Sequence, residues 1–348
     1  MIIGYSHWGF LGSGIHDTPD GGRSHRRVLV DGLRGRGHQI VFLQANRDLT
    51  EAGHDLTGTY RWDVGLPDVD VLSLEWRWPI PGRNTTRCGS PGHTCDLHRQ
   101  QQLLDHYTAQ GTVTVLWDKD RQLAPDDLLR HVRNVVVCEP ALYPSPGAVS
   151  LLFPVADTAL RCADPLALAS APRDLPLLYV GNQYDRDDAF DRYFAPAARQ
   201  YPHIIAGKWP SIERWPELNF WGRIPFPGVE TLYRRAVATA LLLPDRYAHV
   251  GHMTQRLFEA VLAGCLPLTP ATIRGAERFT PPELHITDGD DTRDKIGMLM
   301  NEYGPARRAE LLGACLQRLD LFGLSRQVDT IEHVIAGRTA GLSAHRVG

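Results

Sequence analysis

The chain is predicted to fold as α/β: two Rossmann-like, doubly wound domains. Three observations predict it. In both halves short apolar runs alternate with helical segments, the pattern of a parallel sheet covered by helices. A stretch rich in Ala, Pro and Asp at 155–176 separates the halves and reads as a linker. The 348 residues are enough for two domains of ordinary size. The expected division is an N-terminal domain over 1–158, a second over 172–325, and a C-terminal helix and tail over 326–348 that packs back on the first. In such sheets ligands bind beyond the carboxyl ends of the strands.

Taken in order, the first half has apolar runs at Ile2–Tyr5, Ile40–Leu43, Val69–Leu72, Val113–Leu116, Val135–Val137 and Val149–Phe153, each read as a strand. Helices are expected over Ser24–Arg36, Leu97–Gln110 and Pro125–Arg133. The second half restarts at Leu177-Leu-Tyr-Val-Gly181 and continues with strands His203–Ala206, Phe220–Gly222 and Thr239–Leu243 and a helix over Val229–Val237. Helices at Asp291–Glu302, Pro305–Leu319 and Gln327–Ile335 close the chain.

Composition narrows the class. Apolar content of 43% and charged content of 22% are those of a globular protein. No apolar run approaches the ~20 residues needed to span a bilayer, so no membrane insertion is expected. The opening Met1-Ile-Ile-Gly-Tyr5 has no basic lead-in and reads as a strand rather than a signal peptide. Six scattered cysteines favour a reducing, cytoplasmic setting. A net charge of −3 advertises no polyanion partner, although Arg23, Arg26, Arg27, Arg34 and Arg36 cluster locally.

The segment Gly251–Pro270 is the most informative. It reads as a tight loop, an amphipathic helix over 253–264 and a buried strand. Met253, Leu257, Phe258, Val261 and Leu262 share one helical face, while Thr254, Gln255, Arg256 and Glu259 do not. Free N–H groups at a helix start, with Thr254 and Arg256 beside them, suit an anion. Glu259, one turn deeper, can accept hydrogen bonds from vicinal hydroxyls, and Gly264 stops the helix. Phosphate plus sugar hydroxyls describes a nucleotide sugar. A plain core helix is the alternative.

The block Arg256-Leu-Phe-Glu-Ala-Val-Leu-Ala-Gly264, followed by Cys265-Leu-Pro-Leu268, resembles the donor-site signature of GT-B glycosyltransferases. It is most similar to glycosyltransferase-like proteins of the spore-maturation type and to the retaining family that shares their C-terminal half. The resemblance covers about residues 176–270 and implies two Rossmann-like domains facing across a cleft. It implies that Glu259 binds the nucleotide ribose. Where the retaining family carries a further Glu near the transferred sugar, this chain has Gly251, with His252 adjacent. The resemblance also implies donor contacts for Arg186 and Lys208 at the leaving pyrophosphate. Arg223 and Ile224 fall in the segment whose backbone reads the base.

After the first strand comes an unusually long connection, Ser6 to His25, and loops of this length in compact domains are usually functional. The family's corresponding glycine-containing loop lies under the donor phosphates, which implies a donor contact at Gly12. A base that takes the acceptor's proton is sought among His16, Asp17 and Asp20, with His7 close by. Asp17-Thr-Pro-Asp20 is equally good turn chemistry. Ser24 is the expected cap of the following helix, and Arg23 or Arg26 the phosphate partner.

Asp118 and Asp120 follow the strand ending at Leu116, and Trp76 and Trp78 follow another, so all four are candidates for the acceptor side. Cys88, His93, Cys95 and His98 offer four soft metal ligands within eleven residues. Tetrahedral zinc would suit them. Their spacing matches no common finger, however, and a disulfide or free thiols in a loop is the reading preferred here, with no metal and no other cofactor required.

Together these readings describe a cytoplasmic glycosyltransferase moving a sugar from a nucleotide diphosphate sugar, UDP-glucose being the first choice, to a hydroxyl acceptor. The acceptor is a small molecule, a glycan, or a hydroxymethylated pyrimidine in DNA. The rivals are a nucleotide-sugar epimerase of the same bilobal fold and a non-catalytic sugar-nucleotide-binding protein.

Overall fold

A computed structural model describes residues 1–12 and 21–344. The described residues fall into two compact units. The first consists of the first strand, Gly22–Pro154 and the C-terminal helix from Leu324; the second is Val155–Gly323.

The first unit carries a seven-stranded parallel sheet: β1 (Ile2–Ser6), β2 (Gln39–Phe42), β3 (Arg61–Trp62), β4 (Val71–Glu75), β5 (Val113–Trp117), β6 (Val135–Glu139) and β7 (Val149–Ser150). Its order is β3-β2-β1-β4-β5-β6-β7, so the winding reverses between β1 and β4. Such a switch point leaves a crevice at the strands' carboxyl ends. β4, β5 and β6 are buried along their whole length, which is why they read as unbroken apolar runs. Helix α1 (Arg26–Gly35) buries Leu29, Val30 and Leu33. Helix α2 (Asp96–Ala109) buries Leu103, Leu104 and Tyr107 against the apolar side chains of β4 and β6.

The second unit repeats the plan with six strands: β8 (Leu175–Val180), β9 (His203–Ala206), β10 (Phe220–Gly222), β11 (Ala236–Ala240), β12 (Leu266–Pro270) and β13 (His285–Ile286). The order β10-β9-β8-β11-β12-β13 puts its switch point between β8 and β11. Helix α3 (Phe226–Arg235) enters β11 directly. Helix α4 (Arg256–Leu262) lies against α3 and β12, with Leu257, Phe258, Ala260 and Val261 buried. The unit's chain enters and leaves side by side, since the Val155 N–H donates to the Phe322 carbonyl at 2.8 Å.

Three expectations are corrected. The stretch 155–176 is not an extended linker: it forms helices Asp157–Cys162 and Pro165–Ser170, and the latter packs on α5 (Pro305–Arg318). Asp164 caps that short helix by accepting from the Leu166 and Ala167 N–H groups, and Pro165 opens it. Within 125–133 only a 3₁₀ turn, Leu128–His131, forms. Helix α1 starts behind His25 with no side-chain cap, because Ser24 falls in the preceding 3₁₀ turn Gly21–Ser24.

The last helix, α6 (Leu324–Ala344), is part of the first unit. Gln327 accepts from the Leu152 N–H at 2.8 Å. Asp329 pairs with Arg36 at 2.5 Å, and Glu332 meets His38 at 3.0 Å. Gly32 on α1 is seated against Leu324; a Cβ there would lie 2.7 Å from its Cδ1.

Candidate active site

In the second unit the loops leaving β8, β9 and β11 converge at the switch point. The Gly181 N–H donates to the Ala206 carbonyl at 2.8 Å, and Trp209 Nε1 donates to the Gly181 carbonyl at 2.8 Å. Gly207 sits at φ +146° with its α-carbon against the Gly181 carbonyl, so only glycine fits. Asn182 Oδ1 accepts from the Lys208 N–H at 2.9 Å, locking the two loops together. Lys208's side chain is exposed, so its backbone does the locking.

Over these loops stand three arginines. Arg186 is buried, and among the described residues its hydrogen bonds go only to the carbonyls of Leu242 (3.2 Å), Asn182 (3.3 Å) and Tyr184 (2.8 Å). Burial pulls it below the ordinary arginine value, Tyr179 opposes that, and Arg256 adds to it. A buried cation whose partners are all neutral is costly unless an anion joins it. Arg256 donates through Nε to the Val180 carbonyl and through Nη1 to Thr254 Oγ1 at 3.4 Å. A Cβ on Gly181 would lie 2.8 Å from Arg256 Nε. Arg246 is tied to Asp185 at 2.5 Å.

Glu259 projects half-buried from the first turn of α4. Burial first, and the Glu259 carboxylate second, push the Tyr233 phenol well above its usual range. The Tyr233 and Tyr179 hydroxyls are both buried and, among the described residues, make no hydrogen bond. Such groups call for an explanation, and a polar ligand beside Arg256 and Glu259 supplies one.

Helix α4 begins at Arg256, three residues later than the pattern predicts. Met253 and Thr254 are buried in the loop before it. His252 is 1% exposed and stacked on Tyr247 with ring centroids 3.9 Å apart. Gly264 takes φ +76° and closes α4 in a Schellman motif, with the Cys265 N–H on the Ala260 carbonyl at 2.9 Å. Leu262 is only half-buried, and Ala260 and Ala263 fill the core face beside it. Arg223 is exposed at the end of β10, and Ile224 packs on the core cluster under α3. Arg173 escaped notice in the sequence. Its guanidinium bonds the carbonyls of Tyr233, Arg234, Ala236, Leu168 and Ala263 and so caps α3 and α4 together.

At the first unit's switch point the central group is Glu75, 2% exposed at the end of β4. It accepts from Tyr5 Oη at 2.8 Å, Arg26 Nε and Nη2 at 2.8 and 2.7 Å, and Lys119 Nζ at 2.5 Å. Burial alone would raise its pKa, but Arg26 and Lys119 outweigh that and hold Glu75 well below the usual carboxylate range. Arg26 is therefore no phosphate partner: it is fully buried, and its Nη1 also holds the Phe10 carbonyl at 2.9 Å. Of the other clustered arginines, Arg27 and Arg34 share Asp31, Arg36 pairs with Asp329, and buried Arg23 lies over the Phe10 ring.

His7 lies just past β1. Gln44 Oε1 accepts its backbone N–H at 2.7 Å, which orients the amide so that Nε2 faces His7 Nδ1 at 2.8 Å. The neutral ring then carries its proton on Nε2 and presents a donor. Gly12 is held by Asp48, which accepts from its N–H at 2.8 Å. His16, Asp17 and Asp20 lie outside the described residues. Asp118 is buried and its two oxygens accept from the Gln122 and Leu123 N–H groups at 2.9 and 2.8 Å; burial raises it to about 6. Asp120, Trp76 and Trp78 are half-buried, Trp76 packing on the core cluster under α2. Cys88, His93, Cys95 and His98 come together, each offering a ligand atom within 4.8 Å of the others.

Two doubly wound units of this order define the GT-B architecture of glycosyltransferases. No family model matches the chain, and no curated protein sequence does. Among solved structures, T4 phage BGT in complex with UDP and Mn²⁺ is similar at 12% identity and TM-score 0.62, over 96% of this chain and 99% of that one. A DNA-modifying β-glucosyltransferase, determined with and without uridine diphosphoglucose, is similar at 13% identity and TM-score 0.61, over 97% and 100%. AviGT4, a glycosyltransferase involved in avilamycin A biosynthesis, is similar at 13% identity and TM-score 0.57, over 98% of each chain. At these identities the likeness establishes the fold. Among the described residues no helix is long and apolar enough to cross a membrane.

Proposed function

We propose that the protein is a glycosyltransferase that takes a sugar from a uridine diphosphate sugar, glucose-type by preference, and transfers it to a hydroxyl acceptor. The observation that carries this reading is Arg186, a buried cation beside Arg256 with only carbonyl partners. In this reading the diphosphate lies on Arg186 and Arg256, and Glu259 binds the ribose hydroxyls. Negative charge grows on the diphosphate as the glycosidic bond breaks, and two fixed guanidinium groups stabilise it without reorganising. Lys208, Arg223 and Ile224 line the base and phosphate end, with Thr254 fixing Arg256. His16 or Asp17 takes the acceptor's proton, and Asp120, Trp76 and Trp78 border the acceptor.

No resident cofactor is required in this scheme. One neighbour was determined with UDP and Mn²⁺, so UDP titrations with and without Mn²⁺ belong in its test. The DNA-modifying neighbour supports hydroxymethylated DNA as an acceptor beside small molecules and glycans. Of the clustered arginines, Arg26 is withdrawn from any DNA contact by its burial against Glu75.

Isothermal titration with UDP tests the donor site. Glu259→Ala should weaken UDP binding at least tenfold, about 1.4 kcal/mol, and Arg256→Ala more. Unchanged affinity in Glu259→Ala removes the ribose assignment; no UDP binding by the unaltered protein removes the reading altogether. Release of free altered sugar nucleotide without an acceptor would favour an epimerase.

A further inference from the structure

We propose that Cys88, His93, Cys95 and His98 form a structural zinc site that clips the long connection between β4 and α2. The inference is independent of the donor site and reverses the plain-loop reading of this segment.

Three features of the fold carry it. First, the four side chains converge although their spacing is irregular. Cys88 and His93 flank a turn in which Gly89 and Gly92 adopt φ +82° and +74°. Cys95 is the residue before α2, and His98 is in its first turn, so the two share a face. Cys88 Sγ lies 3.3 Å from His98 Nδ1, and all four ligand atoms lie within 4.8 Å of one another. Ligand atoms around tetrahedral zinc are separated by roughly 3.3–3.8 Å, so small side-chain adjustments complete the tetrahedron.

Second, His93 is placed to ligate through Nε2. Its Nδ1 lies 3.0 Å from Thr86 Oγ1, which also reaches the Arg83 carbonyl at 3.4 Å. With Thr86 accepting from Nδ1, the Nε2 lone pair is left for a metal. Among the described residues His93 Nε2 is buried and makes no hydrogen bond. An oxygen hydrogen-bonded to the non-ligating nitrogen is the usual support of a metal-bound histidine.

Third, the connection is held by turns and side-chain hydrogen bonds rather than by helix or strand. Between β4 and α2 it contains no regular element. It is held by Asn84, which accepts from the Ile80 N–H at 2.6 Å and donates to the Trp78 carbonyl at 3.0 Å, and by Thr94 and Asp96. Two thiols would lose their protons as two Zn–S bonds form, giving a neutral site of two thiolates and two imidazoles around a divalent ion. Thiolates and imidazoles select zinc over hard cations. The clip fixes Trp78 and Arg83 beside the carboxyl end of the first sheet, where Arg83 lies over Trp8 with 3.2 Å to the ring centroid.

The test is the metal content of the full chain, purified without a metal-affinity step in reducing buffer, by inductively coupled plasma mass spectrometry. About one zinc per chain is expected. The Cys88→Ser/Cys95→Ser double variant should fall below about a tenth of that, with UDP affinity unchanged. Zinc retained by the double variant, or unaltered protein purified free of zinc, overturns the proposal. Should the variant fail to fold, Co²⁺ added to metal-stripped unaltered protein decides. Thiolate-to-cobalt charge-transfer and tetrahedral ligand-field bands support the site, and their absence overturns it.

Discussion

Glu75 organises the first unit's switch point, and its energetics follow from its partners. A carboxylate buried at the end of β4 survives as an anion only because Arg26, Lys119 and the Tyr5 hydroxyl surround it. Glu75→Gln would leave the fully buried Arg26 without its counter-charge, and should cost about 3–5 kcal/mol of stability at neutral pH by urea denaturation. The pH dependence has a definite sign. Because the folded-state value is depressed below the unfolded one near 4.5, Glu75 contributes stability above that value and loses it as pH falls through the folded value. The unaltered protein should therefore weaken on acidification below about pH 4.5, with a smaller slope in Glu75→Gln; equal slopes would show that other carboxylates set the acid limit. Arg26 shows where sequence reading fails at this scale. It stands beside Arg23 and Arg27 in an apparent basic cluster, and nothing local marks it as the partner of a carboxylate 49 positions later.

At the scale of elements, the turn residues were legible and the helix start was not. Gly264 ends α4 as its position suggested, because a left-handed residue after the last apolar position is a local signal. The start of α4 is tertiary: buried Met253 and Thr254 look periodic but belong to the loop that carries Arg256 to the Val180 carbonyl. Two glycines in the neighbouring loops predict opposite outcomes. Gly207→Ala would set a Cβ against the Gly181 backbone carbonyl at φ +146°. Backbone of this kind costs about 1–3 kcal/mol, and thermal unfolding should show the loss. Gly181→Ala meets instead the ends of the Arg256 and Tyr179 side chains, at 2.8 Å each. Those can move, so stability should change little while UDP affinity falls about tenfold, as the phosphate role proposed for Arg256 requires. A Gly181→Ala variant that unfolds early yet binds UDP normally would contradict this division.

For the whole molecule, alternating apolar runs sufficed to predict two doubly wound units, since fully buried parallel strands must be apolar throughout. The start of the second unit was harder to read than the return of the C-terminal helix to the first. The short helices after Val155 looked like linker because the stretch is rich in Ala, Pro and Asp, and the packing of Pro165–Ser170 on α5 depends on residues about 140 positions away. α6 follows the second unit in sequence but completes the first. Leu324 fills the notch at Gly32, Gln327 satisfies the Leu152 N–H, and Asp329 and Glu332 meet Arg36 and His38. Removing α6 by a stop after Gly323 would expose the face of α1 that Leu324 covers and leave the Leu152 N–H without its acceptor. Hydrogen exchange should then quicken across α1 and β5, both packed against α6, while β8, β11 and β12 keep their protection and UDP binds within about twofold of the full chain. Loss of protection confined to the second unit would mean that α6 stabilises the sheet preceding it in sequence, contrary to the packing at Gly32 and Leu152.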